Sequence, residues 1–347
     1  MKKVKIGFIG CGFMGQLAHL KNYVGLDDCE IVAICDTKRK QAEMVAAKYG
    51  IPKVYTDHRE LLANPDIEAV VAAQHFDNHF NLLPDILNAK KYLLTEKPLC
   101  IYPDNGRVLA KCAEDNGVFH MVAYHKRSDP ASEYTAGIIE KWKKSGEMGK
   151  MKYVRITMPP GDWIGGAKGA NFSDEPCGAI KSEPLKPGIS EETHQKTVAF
   201  VNYYIHQVNF LRYVFGEDYK LTFVDKSGVI LTVESDSGIC GIIEMAPYET
   251  THDWQEKVFI AFEKGWINID LPAPLISQQA GKVTIFENNT PAGIYTIPRL
   301  PNISAMSNQA ANFIKAVKGE KKVPCGSDEA VKDLEIALDY VKYIENF

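Results

Sequence analysis

The first third of the chain alternates short apolar runs with longer amphipathic ones. Five apolar runs are predicted strands: VKIGFIG, CEIVAICD, IEAVVAAQ, KKYLLTEKP and VFHMVAYH. The stretches between them, CGFMGQLAHLKNYVG, TKRKQAEMVAAKYG, 78–89 and 103–116, are predicted helices, with Pro103 in a first turn and Gly117 as a cap. Strands and helices alternating at this spacing predict an α/β fold with a doubly wound parallel sheet of the Rossmann type.

The remainder of the chain has a different rhythm. The helical stretch DPASEYTAGIIEKWKKSGEMG leads into the strand KMKYVRITMPP, and a long Gly- and Pro-rich stretch over 159–197 follows. A helix over 197–215 precedes β-rich segments separated by hairpin-like turns, and two further helices are predicted at 304–318 and 327–345. This order predicts a second, α+β domain with a large, mostly antiparallel open sheet.

Length and composition are those of a two-domain globular protein. A chain of 347 residues favours two cores, which we place at 1–125 and 126–347. A net charge of −4 without clustered Lys and Arg argues against a nucleic-acid partner. None of the eight cysteines forms a CxxC pair, and no apolar run reaches the ~18 residues of a membrane span. We therefore expect a soluble, cytoplasmic protein without disulfides, a zinc site or a membrane segment.

A glycine motif follows the first predicted strand. Gly10, Gly12 and Gly15 form GxGxxG, and Asp36 ends the second predicted strand 21 residues after Gly15. Glycines let the backbone approach a pyrophosphate, a helix N-terminus attracts its charge, and a carboxylate accepts the ribose hydroxyls. In this strand–turn–helix context the motif predicts dinucleotide binding.

The same carboxylate bears on the choice of cofactor. Asp36 would repel the 2′-phosphate of NADP, which favours NAD. Lys38 and Arg39 follow immediately and could offset that repulsion. The sequence therefore favours NAD and leaves NADP as the less favoured alternative.

Two further positions suggest chemistry. Lys97 ends the predicted strand YLLT in the tripeptide Glu-Lys-Pro, and ligands of parallel sheets bind beyond the carboxyl ends of the strands. Asn202, His206 and Asn209 fall on one face of the predicted 197–215 helix, at i, i+4 and i+7. Histidine suits proton transfer, although a histidine on an apolar helix is also a common core residue. No second metal ligand shares that face, so we expect no metal site.

These features together resemble the glucose–fructose oxidoreductase/inositol dehydrogenase (Gfo/Idh/MocA) family over nearly the whole chain. The motifs that carry the resemblance are IGFIGCGFMG with Asp36, DNHFNLLPDILNAKKYLLTEKPL, YHKRSDPASEYTAGIIEKWKKSGEMGKMKYVR and VNYYIHQVNFLRYVFG. The resemblance implies that Lys97 stands beside the nicotinamide and the substrate hydroxyl, followed by a cis peptide bond. The cofactor contacts that we expect are Gly10, Gly12, Phe13, Met14, Gly15, Asp36, Arg39, His79, Glu96 and Lys97.

Two positions depart from the family pattern. Asn202 stands where the family's helix usually carries an aspartate four residues before its histidine. An amide can orient His206 or a sugar hydroxyl, but it cannot stabilise an imidazolium as a carboxylate does. His125 replaces a common asparagine, so the expected pocket wall differs chemically.

The resemblance implies an NAD-dependent dehydrogenase that moves a hydride between the nicotinamide and a carbinol carbon of a cyclic sugar, sugar derivative or polyol. Lys97, His206 and Asn202 would be catalytic, and His125, Arg127, Trp163 and Asn202 would contact substrate. Trp163 could stack on a sugar ring or simply anchor its loop. Two alternatives stay open: an NAD-dependent glycosidase that oxidises the sugar transiently, and a non-catalytic dinucleotide-binding sensor. The resemblance also implies a homo-dimer or homo-tetramer.

Overall fold

The chain forms two compact units in the computed structural model, which describes residues 2–158, 161–176, 181–245 and 248–345. The first unit comprises Met1–Tyr124, Lys168–Asn202 and Gln309–Leu334, and the second comprises His125–Ala167, Tyr203–Asn308 and Glu335–Phe347. The first unit therefore includes two segments from beyond the boundary expected at residue 125. Cys177 and part of the predicted 159–197 loop lie outside the described residues.

A six-stranded parallel sheet forms the centre of the first unit. Its strands are β1 (Val4–Ile9), β2 (Cys29–Cys35), β3 (Val54–Tyr55), β4 (Ala69–Ala72), β5 (Tyr92–Thr95) and β6 (His120–Val122). Its helices include α1 (Lys21–Val24), α2 (Arg39–Tyr49), α3 (His58–Leu62), α4 (His79–Asn88) and α5 (Pro103–Asp115). The order β3-β2-β1-β4-β5-β6 confirms the predicted doubly wound Rossmann sheet.

Continuous apolar runs form these strands because a parallel sheet is covered on both faces. All four residues of β4 are buried, as are five of the six in β1. The C-terminal helix α9 (Ala305–Val317) contributes Phe313 to the same core, where its ring lies 6.3 Å from that of Tyr23. This aromatic contact explains why a segment so distant in sequence belongs to the first unit.

The second unit contains an eight-stranded sheet. Its strands are β7 (Met151–Met158), β8 (Tyr219–Val224), β9 (Ile230–Ser235), β10 (Cys240–Met245), β11 (Glu256–Phe262), β12 (Gly265–Leu271), β13 (Lys282–Glu287) and β14 (Ile294–Thr296). The order is β14-β13-β12-β11-β7-β10-β9-β8, and among the described strand pairs β7–β10 is parallel and the others are antiparallel. The predicted mostly antiparallel open sheet is thus confirmed.

Helices and alternating side chains complete this second unit. One face of β11 buries Val258, Ile260 and Phe262, while the residues between them are more exposed. Helices α6 (Pro130–Ser145), α8 (Ile205–Phe215) and part of α10 (Ser327–Ile344) also belong here. Among the described residues, no helix is long and apolar enough to cross a membrane.

The predicted 197–215 helix is two helices. Helix α7 runs from Glu191 to Tyr203, and α8 begins at Ile205. Tyr204 has φ −99° and ψ −3°, in the bridge region of backbone space, and its carbonyl accepts a hydrogen bond from the amide of Gln207 three residues on. Asn202 therefore belongs to a different helix from His206 and Asn209, and the predicted single helix over 197–215 was wrong.

Candidate cofactor and active site

The glycine loop after β1 has two glycines that the backbone requires and one that faces open space. Gly10 has φ +92°, and a Cβ there would collide with the carbonyl oxygen of Ala73. A Cβ at Gly15 would collide with the carbonyl oxygen of Gly10, whereas one at Gly12 would meet no atom within 4 Å. The loop is thus closed by Gly10 and Gly15 and open at Gly12. This shape fits a dinucleotide, whose pyrophosphate lies against such a loop.

Asp36 lies directly after β2 at the same edge of the sheet. Its Oδ2 accepts a hydrogen bond from the Cys11 amide at 2.9 Å, and its Oδ1 accepts one from the Lys38 amide at 2.9 Å. Burial, together with the neighbouring Asp36 charge, raises the pKa of the Cys11 thiol, so this thiol stays protonated and donates to Asp36 at 3.3 Å. The carboxylate is therefore fixed beside the glycine loop, as ribose binding requires.

Lys97 follows β5, at the carboxyl edge of the sheet. The Lys97–Pro98 peptide bond is cis, as the family resemblance implied. The Lys97 side chain is half-buried, and its Nζ donates to the carbonyl oxygen of Asn202 at 2.6 Å. Carbonyls in the last turn of a helix lack the usual intrahelical partners and attract cations. The end of α7 thus holds the ammonium group through a backbone atom of Asn202, whose own side chain is exposed.

A buried hydrogen-bonded pair of side chains, Glu96 and His19, includes the residue directly before Lys97. Glu96 Oε1 lies 2.6 Å from His19 Nε2, and both residues are buried. Burial alone would raise the pKa of Glu96, but the hydrogen bond and charge of His19, with the charge of Lys97, lower it overall. Glu96, directly before Lys97, is therefore ionised. His19 belongs to a π-helical segment, Gly15–Leu20, and nothing in the sequence analysis singled it out.

His79 is fully buried nearby in the same unit. Its Nδ1 lies 3.0 Å from the carbonyl oxygen of Leu99 and donates to it. Burial lowers the pKa of His79, so the ring is neutral. Its Nε2 has no hydrogen-bond partner among the described residues. An acceptor without a donor in the core is consistent with a ligand contact, which is the role predicted for His79.

Arg39 lies apart from these groups. Its guanidinium is exposed and donates to Glu43 Oε1 on the same helix at 2.9 Å. Phe13 and Met14 lie between Gly12 and the π-helical segment, within the loop that is predicted to contact the cofactor. The predicted cofactor residues of the first unit thus lie at one edge of the sheet, and the Arg39 side chain is occupied elsewhere.

In the second unit the structure brings His125 and His206 together. Their rings meet edge to face with centroids 4.7 Å apart. His125 is buried at the start of a 3-10 turn, His125–Ser128, and His206 is half-buried in the first turn of α8. His125, one of the two residues that depart from the family pattern, therefore contacts the predicted proton acceptor His206 directly.

Arg127 ties the 3-10 turn to α8. Its Nε donates to Asn209 Oδ1 at 2.6 Å and its Nη2 donates to the Asn209 carbonyl at 3.1 Å. The guanidinium also lies 5.2 Å from the centroid of the Tyr213 ring, and the residue is 5% exposed. These contacts make Arg127 a positioning residue for the helix that carries His206. Its predicted substrate contact stays a prediction.

A buried polar network that the sequence did not reveal lies beside these residues. Lys126 Nζ lies 2.5 Å from Glu256 Oε2, and Gln207 Nε2 donates to Glu256 Oε1 at 2.8 Å. His125, Lys126, Asp129 and Glu256 line one cavity of the second unit. Burial raises the pKa of Asp129 to about 6. No sequence pattern signals this pair, because its members are 130 residues apart.

Trp163 lies in the loop after β7. The side chain is 39% exposed, and its backbone carbonyl accepts a hydrogen bond from the Leu275 amide at 3.1 Å. The loop is therefore anchored at this residue through the main chain, which leaves part of the indole exposed for a ligand. The described residues contain no cluster of His, Cys, Asp or Glu that could hold a metal ion.

Comparison with known proteins shows a likeness to one family in the first part of the chain. Residues 4–124 match the sequence model of the Gfo/Idh/MocA family, described as an oxidoreductase family with an NAD-binding Rossmann fold. This part of the chain is therefore similar to the NAD-binding domain of the Gfo/Idh/MocA oxidoreductases. The matched residues contain the glycine loop, Asp36 and Lys97, so the family and the geometry agree on the cofactor edge of the sheet.

Individual relatives extend the likeness beyond the first unit. The chain is 26% identical to a myo-inositol 2-dehydrogenase from Thermotoga maritima, over 70% of this chain and 63% of that protein, slightly less than two thirds of its length. It is 25% identical to an inositol 2-dehydrogenase from Rhizobium meliloti, over 94% of this chain and 92% of that protein. An aldose-aldose oxidoreductase from Caulobacter crescentus, solved with glycerol, has the same fold, with a TM-score of 0.73, 16% identity, and coverage of 99% and 98%.

Proposed function

We propose that the protein is an NAD-dependent dehydrogenase that transfers a hydride between the nicotinamide and a CH–OH carbon of a cyclic sugar, sugar derivative or polyol. One observation carries the proposal. The ammonium group of Lys97 is held at the carboxyl edge of the sheet that also carries the open Gly12 loop and Asp36. That edge is where open α/β sheets bind dinucleotides and their substrates. The inositol dehydrogenases among the relatives support the choice of a polyol-like substrate.

The residues of the first unit would hold the cofactor. The loop from Gly10 to Gly15 would bind the pyrophosphate. The Asp36 oxygens, each of which accepts one backbone hydrogen bond and has a further lone pair, would accept hydrogen bonds from the ribose hydroxyls. When bound, the nicotinamide supplies the hydride acceptor or donor. The buried Glu96–His19 pair would fix the backbone from which Lys97 projects.

We assign proton handling to Lys97 and His206. The Lys97 ammonium would donate a hydrogen bond to the substrate oxygen, which orients the hydroxyl and stabilises negative charge as the hydride leaves. His206 would accept the hydroxyl proton, and the ring of His125 would restrict its orientation. Asn202 and Trp163 would contact the substrate ring. Arg127 would act by holding α8 in place.

The test is NADH formation by the purified protein with a panel of inositols, free sugars, sugar phosphates and nucleotide sugars. Lys97→Ala should lower kcat about 10²- to 10⁴-fold with NAD binding retained, as is typical of lost acid–base groups. Lys91→Ala is the matched control. Lys91 directly precedes β5, the strand that Lys97 follows, and its Nζ also donates to a backbone carbonyl, that of Ile67, at 2.7 Å. Turnover that survives Lys97→Ala would contradict the assignment.

If no substrate of the panel gives NADH, two further measurements distinguish the alternatives. Hydrolysis of an aryl glycoside without NADH release would indicate a glycosidase that oxidises its sugar transiently. Tight NAD binding with no reaction on any sugar would indicate a sensor. Each outcome replaces the dehydrogenase proposal while the cofactor site stands.

We also propose that the second-unit sheet pairs with a second copy of this chain. Its more exposed face carries aromatic side chains from adjacent strands, Phe259, Trp266, Phe286 and Tyr295, with neighbouring centroids 4.9–6.0 Å apart. Tyr295 is 68% exposed and Ile297 is 73% exposed. Adjacent exposed aromatics favour association, and an open sheet face is self-complementary about a two-fold axis.

A further inference from the structure

Glu175 lies in the segment Lys168–Asn202 of the first unit, and its side chain contacts the N-terminus of α2. Its Oε2 accepts a hydrogen bond from the Gln41 amide at 3.2 Å and another from Ser173 Oγ at 3.0 Å. Gln41 is the third residue of α2, so its amide is one of those left without an intrahelical partner. The N-cap residue, Lys38, makes no side-chain cap bond. Glu175 therefore supplies the cap from 134 residues away.

The Gln41 side chain fastens this segment to the glycine loop. Its Nε2 donates to the Cys11 carbonyl at 2.8 Å, while its Oε1 accepts from the Ser173 amide at 3.3 Å. Gln16 makes a second fastening, since its side chain bonds to both the carbonyl and the amide of Asn171, at 2.7 and 2.8 Å. The Cys11 amide donates to Asp36, and the Gln41 amide donates to Glu175. The two carboxylates are therefore linked through Cys11 and Gln41, which are hydrogen-bonded to each other.

Two cations near this helix terminus are paired with carboxylates. Arg39 donates to Glu43 at 2.9 Å, and Lys40 lies 3.8 Å from Asp174. Of the two side chains that could offset the charge of Asp36, Lys38 and Arg39, the structure pairs Arg39 in this way. The carboxylates of Glu175 and Asp174 thus lie at the α2 N-terminus beside Asp36, although a helix N-terminus normally favours an added anion.

NADP differs from NAD by a 2′-phosphate that lies just beyond the second strand, beside the residue equivalent to Asp36. A phosphate there would need the free amides of the α2 N-terminus and a cation. We propose that Glu175 is a second specificity-determining carboxylate, which occupies the Gln41 amide and excludes the 2′-phosphate. This inference rests on the proposed NAD-dependent function and assigns its cofactor choice to a residue outside the strand–loop motif.

The experiment is titration of the purified chain with NADH and with NADPH, followed by calorimetry or nicotinamide fluorescence, so that no turnover is needed. Glu175→Gln keeps an acceptor oxygen for Gln41 and Ser173 and removes the charge. It should tighten NADPH binding about tenfold and leave NADH binding nearly unchanged. Glu191→Gln, in the exposed first turn of α7 and in the same unit, is the matched control and should leave both affinities unchanged.

The outcomes separate the two proposals. An NADPH-to-NADH affinity ratio that rises in Glu175→Gln alone supports the inference. NADH binding with an affinity ratio that Glu175→Gln does not change, or that Glu191→Gln changes equally, overturns the inference and leaves the proposed function standing. Binding of neither nucleotide by the wild-type chain overturns both.

Discussion

Gly12 and Gly15 lie three residues apart in one loop, yet a methyl group at each would meet a different environment. At Gly15 the methyl would collide with the carbonyl oxygen of Gly10, and at Gly12 it would enter space that is open for at least 4 Å. The absence of a side chain is therefore required for folding at Gly15, whereas at Gly12 it leaves space for a ligand. The loop allows the two roles to be tested independently.

We expect Gly12→Ala to weaken NADH binding about tenfold with little change in thermal stability, since the methyl intrudes where a pyrophosphate would lie. Gly15→Ala should instead destabilise the fold by about 1–3 kcal/mol, the usual range for overpacking. Nucleotide titration and thermal unfolding of both variants measure the two effects. Normal NADH affinity in Gly12→Ala would contradict the placement of the pyrophosphate.

Asp129 gives a prediction on pH. It caps α6 by accepting from the Ala131 amide at 2.8 Å and also accepts from the Gly281 amide at 3.0 Å. Burial raises its pKa from 3.8 to about 6. Between these values the folded state binds more protons than the unfolded state, so this group makes the protein less stable as pH rises.

Asp129→Asn keeps an acceptor for both amides and removes the titration. Relative to the variant, the wild type should lose up to about 3 kcal/mol of unfolding free energy between pH 4 and pH 7, since each pKa unit corresponds to about 1.4 kcal/mol. Denaturant unfolding of both proteins across this range measures the difference. A difference that stays constant with pH, or grows in favour of the wild type, would show that burial does not dominate at Asp129.

At the scale of elements, helix α7 shows where periodicity stops being informative. The apolar spacing predicted one helix through 197–215, and no glycine or proline marks the interruption at Tyr204. Beside the interruption, the Asn202 carbonyl accepts a hydrogen bond from Lys97 Nζ. Such a bond joins residues 105 apart, so a local pattern cannot reveal it. The strands, by contrast, were predictable because burial on both faces leaves a continuous apolar run.

The described segment 181–186 is similarly fixed by contacts that its composition conceals. Glu183 is 3% exposed, and its carboxylate accepts from the Ile101 amide at 2.8 Å and the Asn105 side chain at 2.5 Å. Its own amide donates to the Asp77 carbonyl at 2.7 Å. A Gly- and Pro-rich stretch reads from sequence as a loop, but this part is pinned to the first unit by a buried carboxylate.

We expect Glu183→Ala to release that segment locally. The Ile101 amide would lose its acceptor, at a cost of about 1–3 kcal/mol, and the Lys181–Ser182 bond should become at least about tenfold more sensitive to trypsin. Mapping of cleavage sites over time by mass spectrometry measures this. Glu191→Ala, in the exposed first turn of α7, is the control and should cleave at the wild-type rate. Equal rates in both variants would show that Glu183 does not hold the segment.

At the scale of the whole molecule, the sequence predicted two domains with the observed fold classes, but as two contiguous segments, 1–125 and 126–347. The structure assigns Lys168–Asn202 and Gln309–Leu334 to the first unit. The aromatic contact of Phe313 with Tyr23 explains the second assignment. Periodicity predicts which residues are buried, whereas the choice between two cores depends on complementary shapes that one sequence does not display.

Oligomerisation supplies the last test. If the aromatic face of the second-unit sheet pairs with a second copy, a charge placed within it should prevent association by desolvation and like-charge repulsion across the two-fold axis. Tyr295 is suited to this change, because it is 68% exposed and contributes little buried area within one chain. Its ring nevertheless lies 4.9 Å from that of Phe286 and 6.0 Å from that of Trp266, at the β14 edge of the aromatic face.

We therefore expect the wild type to have at least twice the mass of one chain in light scattering, and Tyr295→Lys to have the mass of one chain at the same concentration, with an unchanged circular dichroism spectrum. Val108→Lys is the matched control, since Val108 is 54% exposed on α5 in the first unit. It should keep the wild-type mass. An oligomer that persists in Tyr295→Lys would show that copies associate through another surface, because a lysine ammonium cannot be buried unpaired in a stable interface.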